Sequence, residues 1–433
     1  MSALATPPTS ATAGSATPRL LPTPGTPRET LADYQRTGGY SAAAWEHTPA
    51  ALIAEILASG LRGRGGAGFP AGVKWRAVAA GRGRKAVVIN AAESEPASQK
   101  DRILFLARPH LIIEGALLAA RAVEASEVIV YTHDNAVATV AERARAELAA
   151  SGLRLPRWRT VSAPPGYVAG ESSAAINVIN GKGARPTLKP PHATERGVGG
   201  RPTLVQNVET LANVPGIARD GAKAFRTVGS PDYPGTILLT LGGAVARPGV
   251  YEVPSGTPLA MVISACGGGT PWGVQALLPG GFFGGWLAPA ALRDGTALTP
   301  ASLRAAGAEL GSAAIVVVPQ GVCGLGQALA LLRFFAAESA RQCGPCTFGI
   351  PAMAEALARL ARGTAEPDDL PRLRHYAERM LPHRGACGHL DGAAHSARSA
   401  LTVFAAEIET HLQHGGCGRP ERGILPGLAG PPA

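Results

Sequence analysis

The segment GLRGRGGAGFPAGVKW, residues 60–75, constrains this chain more than any other stretch of its sequence. Its six glycines leave the backbone open to close approach by a ligand, and successive free N–H groups in such a loop form an anion-binding concavity. Arg62, Arg64 and Lys74 add full positive charges beside that backbone. A flexible surface loop is the alternative, but such loops seldom carry a phenylalanine, a proline and a tryptophan. The segment therefore predicts a phosphate-binding loop.

The glycine spacing suggests a more specific motif that the surrounding sequence does not support. Gly63, Gly65 and Gly68 match G-x-G-x-x-G, the dinucleotide-binding fingerprint, which should follow a strand and open a helix. The preceding residues, PAALIAEILASG, instead predict a helix that ends at Gly60. No Gly-Lys-Ser/Thr follows, so the nucleoside-triphosphatase loop is excluded as well. The segment is a phosphate loop of another kind.

Length, composition and charge indicate a globular protein of several domains and do not indicate a nucleic-acid-binding protein. The length of 433 residues allows about two to four domains, and a hydrophobic content of 46% supports a large core. The net charge is +10, but no run of Lys or Arg interleaved with aromatic residues predicts nucleic-acid binding. This excess of positive charge suits binding of an acidic redox partner such as a ferredoxin, or the charged residues form an ordinary solvated surface.

Neither a membrane span nor a signal peptide is predicted. No stretch of about 18 continuous apolar residues occurs. Residues 1–27 are rich in Pro, Thr, Ala and Ser, and they lack a charged start followed by an apolar core, so they predict a disordered tail. We therefore expect a cytoplasmic protein that reaches the inner face of a membrane only through partner subunits.

The hydrophobic pattern divides the remaining chain into three structured domains. KAVVIN (85–90), SEVIVYTH (126–133) and RWRTVSAP (157–164) alternate with helical patterns, which predicts an α/β domain with a parallel sheet over residues 28–235. Residues 236–320 predict a small α+β module with two strands around a turn at residues 247–249. Four amphipathic helices predict a bundle over 325–415, and 416–433 predict a second disordered tail.

Polar segments follow these strands where a parallel sheet binds its ligands. Asn90, Glu93 and Glu95 follow the first strand, and ligands of open parallel sheets bind beyond the carboxyl ends of strands. A solvated acidic turn is an equally weighted alternative. Gln206 and Asn207 offer amide groups that suit a heteroaromatic ring.

Lysine is scarce, with six residues among 41 basic ones, so the chain uses arginine wherever arginine serves. A compact ammonium group is not replaceable by a planar guanidinium at a tight site. Four lysines fall inside the unusual segments and are candidates for ligand contact: Lys74, Lys100, Lys182 and Lys189.

Together these segments resemble the FMN-carrying, NADH-oxidising subunit of respiratory complex I and the related subunits of soluble hydrogenases and formate dehydrogenases. The resemblance rests on GLRGRGGAGFPAGVKW, ESEPASQKDR, GYVAGES, RPTLKPP and PTLVQNVETLANVP in one order. GAVARPGVYEVPSGTPL resembles the β-grasp (ubiquitin-like, soluble-ligand-binding) module of that family. ESARQCGPC and CGHLDGAA resemble its iron–sulfur helical bundle, so the resemblance covers about residues 28–415.

The resemblance implies FMN, an iron–sulfur cluster and NADH as substrate. It implies that Glu95 and Lys189, with Phe69, hold NADH so that its hydride faces the flavin. It implies a flavin site formed by Gly63, Arg64, Gly65, Lys74, Asn90, Glu93, Tyr167, Gly170, Glu171, Gln206, Asn207 and Thr210. It implies cluster ligation by Cys343, Cys346 and Cys387.

The cluster motif departs from the family pattern at one ligand. Cys343 and Cys346 form C-x-x-C, a spacing that binds a metal or cluster, but the first cysteine of the family aligns with Ala340. A 3Fe-4S cluster, a 4Fe-4S cluster completed by a small molecule or another side chain, and loss of the cluster are all open. The candidate side chains for the fourth position are His383, His389 and Cys323. Zinc on three cysteines and a histidine is the structural alternative.

We expect buried packing for three isolated cysteines, Cys266, Cys323 and Cys417. We expect solvated positions for three isolated histidines, His110, His133 and His411.

Four further departures from the family pattern lie in the flavin and nucleotide segments: Ala77, Ala92, Ser172 and His192. Those at residues 77 and 192 replace aromatic side chains of the family, and we expect them to weaken nucleotide binding more than FMN binding.

The sequence therefore predicts a flavin- and iron–sulfur-dependent subunit that oxidises NADH or NADPH. It passes single electrons to a ferredoxin-like or quinone-linked partner, because the chain carries no further obvious cluster motif. The alternative is a degenerate FMN-binding assembly module without NADH oxidation or a standard cluster. The choice of nucleotide, the acceptor and the direction of electron flow stay open.

Overall fold

A computed structural model describes residues 19–421 and 423–428. Parts of the two predicted tails, residues 1–18 and 429–433, lie outside the described residues. The remaining tail residues do not form free tails. Leu20 and Leu21 are buried, and their backbone N–H groups donate to Glu252 at 2.9 Å. Leu425 is buried at the other end of the chain, where Cys417, Ile424 and Leu428 also pack against the core of the C-terminal helices.

The first sheet consists of parallel strands in the order β3-β2-β1-β4. Its strands are β1 (Lys85–Asn90), β2 (Ala125–Thr132), β3 (Arg157–Ser162) and β4 (Thr203–Asn207). The three predicted strands are confirmed, and β4 was not predicted. The chain runs from β1 to β2 and β3 on one side and then returns to place β4 on the other side of β1, and such a reversal of strand order creates a crevice for ligands at the carboxyl ends of the strands. In this register Asn90 pairs with Asn207.

Ten α-helices of the described region belong to the same part of the chain as this sheet. They are α1 (Leu31–Arg36), α2 (Ala42–Trp45), α3 (Pro49–Ser59), α4 (Ala71–Ala79), α5 (Lys100–Ala107), α6 (Pro109–Ala122), α7 (Asn135–Ala150), α8 (Ser172–Ile179), α9 (Val208–Ala212) and α10 (Val214–Phe225). As predicted, α3 ends at Gly60, which has φ of 70° and so takes the left-handed conformation that glycine allows. His110 on α6 is buried and lies 3.0 Å from Glu147, so its predicted solvated position is wrong.

Among the described helices, no single one is long and apolar enough to cross a membrane. The pair α5 and α6 meets those criteria together, but its two members are bent by 97°.

The second sheet is mixed, with strand order β8-β7-β10-β9. After the short hairpin of β5 (Gly229–Ser230) and β6 (Tyr233–Pro234), its strands are β7 (Thr236–Gly243), β8 (Gly249–Pro254), β9 (Ala276–Leu278) and β10 (Ala314–Val318). The strands β7 and β10 are parallel, and the other two pairs are antiparallel. The short helices here are α11 (Leu259–Met261), α12 (Ala290–Arg293) and α13 (Pro300–Ala305).

Helices dominate the C-terminal part, as the hydrophobic pattern predicted. They are α14 (Gly324–Ala337), α15 (Ile350–Ala361), α16 (Asp369–His375), α17 (His389–Val403) and α18 (Ala405–His414). The fourth predicted helix is two helices, because the backbone leaves the helical conformation at Phe404 with φ of −104° and ψ of 22°. One apolar core joins these helices to strands of the mixed sheet.

Candidate functional site

One cavity of about 1150 Å³ reaches from the glycine loop to a predicted cluster cysteine. Gly65–Ala67 of the loop form one wall, and the segment Tyr167–Glu171 contributes to another. Glu95 and Cys387 also line it, although they lie almost 300 residues apart in the chain. The cavity therefore brings together residues from all three structured parts of the chain.

The glycine loop closes on itself and then opens a helix. The Gly63 N–H donates to the Phe69 carbonyl at 2.9 Å, and helix α4 begins at Ala71 directly after the loop. Gly65 lies so close to β4 that a Cβ there would be 3.1 Å from the Cβ of Asn207. Phe69 is 53% exposed at the loop surface. A backbone this close to the sheet edge is suited to hold a phosphate-bearing ligand.

Arg64 is engaged by the protein itself. Its backbone N–H donates to Thr210 Oγ1 at 2.8 Å, and its Nη2 donates to the Pro234 carbonyl at 2.8 Å. The guanidinium carbon lies 4.2 Å from the centre of the Tyr233 ring, a cation–π contact. Glu209 Oε1 is 3.9 Å from Arg64 Nε. The guanidinium thus joins the loop to β6 and α9, while its Nε and Nη1 are buried without a hydrogen-bond partner.

Lys74 and Lys189 lie with one carboxylate near the carboxyl end of β4. Lys74 Nζ donates to the Val205 carbonyl at 2.6 Å, and Lys189 Nζ lies 2.9 Å from Glu171 Oε1. Burial lowers the pKa of Lys74 to about 8, with a further reduction from Lys189 and an opposing contribution from Glu171. Burial alone would raise the pKa of Glu171, but hydrogen bonds from Ser173 and Lys189 outweigh it and lower the pKa. Glu171 is therefore a carboxylate held between a helix N-terminus and two lysines.

Amide groups meet at the ends of β1 and β4. Asn90 Nδ2 donates to the Gly170 carbonyl at 2.9 Å. Asn207 Oδ1 accepts from the Glu209 N–H at 3.0 Å and begins α9, so this amide is occupied within the protein. Gln206 is buried, yet its Nε2 has no hydrogen-bond partner. An unpaired buried donor is costly, and a ligand carbonyl or ring nitrogen would satisfy it.

Glu95 faces the cavity in a hydrogen-bonded but largely apolar setting. Its Oε2 accepts from Tyr167 Oη at 2.8 Å and from the Phe282 N–H at 3.0 Å. Burial raises the pKa of Glu95 to about 7 despite these bonds. The Tyr167 ring in turn packs among Phe282, Phe283 and other aromatic side chains. A carboxyl group with such a pKa can be protonated or ionised near neutral pH.

Glu93 and Lys100 are engaged by the protein rather than lining the cavity. Glu93 accepts hydrogen bonds from Ser98 Oγ at 2.5 Å and from the Arg102 N–H at 3.0 Å, so it holds the start of α5. Burial, then the charge of Asp101, raises the pKa of Glu93 to about 7. Lys100 Nζ lies 2.8 Å from Asp101 and 2.8 Å from Glu209 in the protein interior. The prediction of ligand contact is therefore wrong for Lys100, and Glu209 was not predicted as its partner.

The three predicted cluster cysteines lie close enough to influence one another. Burial, and to a smaller extent the neighbouring Cys343 and Cys387, raises the pKa of the Cys346 thiol to about 11. In the described part of the chain, these three sulfurs do not form a group tight enough for one ion, since they do not all lie within 4.8 Å of one another. This arrangement does not favour a single zinc ion on the three cysteines.

Two of the three candidates for the fourth ligand are near the cluster cysteines. His389 follows Cys387 closely, and its Nε2 lies 2.8 Å from the Phe335 carbonyl while its Nδ1 has no hydrogen-bond partner. His383 is exposed and lines the same cavity as Cys387. Cys323 lies instead in a separate group with His411.

Three family models match successive parts of the chain. The Nuo51 FMN-binding domain matches residues 56–216, and the SLBB domain matches residues 238–281. The NADH-ubiquinone oxidoreductase-F iron-sulfur binding region matches residues 326–411. The first range contains the glycine loop, the second contains most of the β7–β8 hairpin, and the third contains the C-x-x-C motif.

Similar proteins span most of the chain. The NADH-quinone oxidoreductase F 2 subunit of Rhizobium meliloti (strain 1021) is 36% identical over 407 residues, covering 89% of this chain and 95% of that protein. The NADH-quinone oxidoreductase F subunit of Escherichia coli (strain K12) is 32% identical over 401 residues, covering 88% and 90%. A chain in the crystal structure of an NAD⁺-reducing NiFe hydrogenase in the air-oxidized state superposes with a TM-score of 0.79 and 29% identity, covering 97% of this chain and 70% of that chain.

Proposed function

Because the chain belongs to the family of NADH-quinone oxidoreductase F subunits, we propose that it is the flavoprotein subunit of an NADH-oxidising electron-transfer complex. One observation carries this proposal: the 1150 Å³ cavity is lined both by the glycine loop and by Cys387 of the cluster motif. A flavin site and a cluster site that share one cavity suit electron transfer between them. In this assignment residues 28–235 bind FMN and NADH, 236–320 form a β-grasp module, and 325–415 form an iron–sulfur bundle.

The residues present fit FMN. The backbone at Gly63 and Gly65 and the ammonium group of Lys74 would hold the phosphate, because this loop is tight, glycine-rich and positively charged. The unpaired Gln206 Nε2 would donate to the flavin ring. Further contacts would come from Arg64 through its backbone, Asn90, Glu93 through the turn that it holds, Tyr167, Gly170, Glu171, Asn207 and Thr210. When bound, FMN accepts a hydride as two electrons and an iron–sulfur cluster carries them onward singly.

The nucleotide would lie at the cavity side of the flavin. Glu95 offers a carboxyl group that lines the cavity. Lys189 offers a cation 2.9 Å from Glu171, which also lines the cavity, and Phe69 offers an exposed ring on the adjoining glycine loop. The hydrogen bonds from Tyr167 and the Phe282 N–H fix the orientation of Glu95. These groups position the nicotinamide nucleotide and exclude water, which is the contribution a protein makes to cofactor chemistry.

The cluster site supplies three thiolates, from Cys343, Cys346 and Cys387. A 4Fe-4S cluster, the type that the family's iron–sulfur region implies, therefore needs a fourth ligand from elsewhere, since Ala340 stands where the family has its first cysteine. Near this position, the Tyr167 N–H donates to Glu338 at 2.7 Å, which ties the flavin side of the cavity to the end of α14.

Electrons leave through partner subunits. We propose a ferredoxin-like or other iron–sulfur protein as the acceptor, since the net charge of +10 suits an acidic redox partner. Association with a membrane would come through these partners, and the compartment would be the cytoplasm. No feature of the sequence favours a nucleic-acid partner.

The test is anaerobic reduction of the purified protein carrying FMN. On addition of NADH, the visible flavin absorption should bleach, and turnover should follow when an artificial one-electron acceptor is added. A flavin that stays oxidised with NADH but is bleached by dithionite would refute NADH oxidation and favour the assembly-module alternative.

A pair of lysine variants tests the nucleotide site. Lys189→Met should raise the KM for NADH by about tenfold or more, the size expected for a lost hydrogen bond to a charged group, with FMN content unchanged. Lys182→Met is the matched control, because Lys182 is exposed in the same segment. Equal KM values in the two variants would refute the role of Lys189.

A further inference from the structure

A second group of metal-binding side chains lies apart from the three cluster cysteines. Cys323, Glu407, His411 and Cys417 each offer one ligand atom, and these atoms all lie within 4.8 Å of one another. Cys323 Sγ is 3.6 Å from His411 Nε2, and Cys417 Sγ is 3.9 Å from Glu407 Oε1. Cys323, Glu407 and His411 are buried, so the prediction of a solvated His411 was wrong. Two thiols, an imidazole and a carboxylate in one buried place form a donor set rather than ordinary packing.

The imidazole is oriented as a metal ligand. His411 Nδ1 lies 2.6 Å from the Ala361 carbonyl, which can only accept, so Nδ1 carries the proton. The lone pair of Nε2 therefore faces the Cys323 sulfur. Metal-binding histidines characteristically donate their other ring N–H to a carbonyl or carboxylate in this way.

The thiol of Cys323 lies at the N-terminus of a long helix. Its Sγ accepts a hydrogen bond from the Gly326 N–H at 3.2 Å, and α14 extends for 14 residues from Gly324. This N–H favours the thiolate, although burial, with a further contribution from Glu407, raises the pKa of the Cys323 thiol overall. The thiolate is the form of cysteine that binds a metal.

Glu407 completes the group and is itself held in place. Its Oε2 accepts from Gln275 Nε2 at 2.7 Å, and its Oε1 accepts from the Leu325 N–H at 3.0 Å. Arg419 lies 3.5 Å from Glu407 Oε2. Placing two thiolates beside a buried carboxylate is unfavourable unless a cation neutralises them, and Arg419 can neutralise only one charge.

We propose that Cys323, His411, Cys417 and Glu407 bind one Zn²⁺ ion. Sulfur and imidazole ligands in a group this compact select zinc, which takes four ligands in structural sites. The ion would fix the chain after α18 against the junction of β10 and α14. Two contacts support the same attachment, since the Cys323 N–H donates to the Pro420 carbonyl at 3.1 Å and the Ile424 N–H donates to Gln327 at 3.0 Å. The site is structural, and it stabilises the helices that carry the cluster cysteines.

Metal analysis of the purified full-length protein tests the proposal. The wild type should contain about one zinc per chain in addition to iron, and His411→Ala should lose at least about nine-tenths of the zinc while keeping its iron, as loss of a ligand exceeds the effect of losing a supporting residue. His414→Ala is the matched control, because His414 is exposed on the same helix. Zinc that persists in His411→Ala, or that is lost instead from Cys346→Ser, would overturn the proposal.

A second measurement covers the case in which His411→Ala fails to fold. Wild-type protein stripped of zinc with a chelator is titrated with Co²⁺, and the absorption of thiolate-bound tetrahedral Co²⁺ is recorded. Cys417→Ser should lose much of the thiolate absorption, and Cys266→Ser should retain it. A wild type that gives no such spectrum, or a Cys323–Cys417 disulfide found by thiol counting, would overturn the proposal.

Discussion

Replacing Glu95 by glutamine tests the electrostatics of the cavity most directly. Glu95 has an ordinary pKa of 4.5 that burial raises to about 7, although three hydrogen bonds from Tyr167, Phe282 and Ala97 favour its ionised form. Glutamine keeps the size and one acceptor oxygen of the side chain but does not titrate. The substitution therefore isolates the contribution of this one charge.

The expected magnitude follows from the pKa. Raising it from 4.5 to about 7 destabilises the ionised form in the folded protein by about 3 kcal/mol, at about 1.4 kcal/mol per pKa unit. Below about pH 4.5 both folded and unfolded chains hold the proton, so this penalty is absent. As the pH rises to about 7 the unfolded chain loses its proton first, and the folded state becomes progressively less stable. Above about pH 7 the penalty is complete and constant.

Urea unfolding of the wild type and Glu95→Gln over this pH range measures the effect. The variant should gain about 3 kcal/mol relative to the wild type between about pH 4.5 and about pH 8, on top of a constant loss from one weakened hydrogen bond. Glu93→Gln is the matched control, because Glu93 has a similar pKa but holds α5. It should change stability with a similar pH dependence and keep the inflection in the NADH profile, displaced slightly to lower pH because the charge of Glu93 makes a small contribution to the raised pKa of Glu95.

The pH dependence of the KM for NADH tests the proposed position of Glu95 beside the nucleotide. The KM for NADH should change near pH 7 in the wild type, and this inflection should vanish in Glu95→Gln. A difference in unfolding free energy that does not vary with pH would refute the pKa argument. A pH profile for NADH that is the same in both proteins would refute the placement of Glu95 beside the nucleotide.

Three further substitutions test other parts of the site. Lys100→Met should lower the free energy of unfolding by about 3–5 kcal/mol in urea titrations, because it leaves Glu209 buried without its partner, and adding Glu209→Gln should recover part of that loss. Gly170→Ala should weaken FMN binding at least about tenfold by fluorescence titration, because a Cβ there would lie 2.7 Å from Ser94 Oγ and would displace the turn; unchanged affinity would contradict this. Cys346→Ser should remove most of the protein-bound iron while NADH still bleaches the flavin, and full iron content would exclude Cys346 as a ligand.

Local sequence patterns predicted much of the fold. The apolar run KAVVIN is β1 at the predicted residues, and α3 ends at the predicted Gly60. The order of the motifs also identified the family to which the chain belongs. These features depend on residues that are close in the chain, because hydrophobic periodicity and helix-capping residues determine secondary structure locally.

The sequence did not predict which strand lies beside β1. The run that forms β4 contributed its amides, Gln206 and Asn207, and part of a family motif, but it was not predicted as a strand, because five residues carry little periodic signal. Pairing with β1 places those amides opposite Asn90 and creates the crevice. The contacts of the Arg64 guanidinium could not be predicted either, because its partners Tyr233 and Pro234 belong to a hairpin that is distant in the chain.

The sequence by itself determined the family, most of the strands and helices, and the candidate flavin and cluster segments. Each of these depends on a contiguous stretch of residues. Only the tertiary structure decided that Lys74 and Lys189 lie near Glu171 and that Lys100 is buried between carboxylates. It also decided that Cys323 meets His411, which is 88 residues away in the chain. Such contacts arise when separate elements pack on one another, and no local pattern of residues encodes the distance between two side chains on different elements.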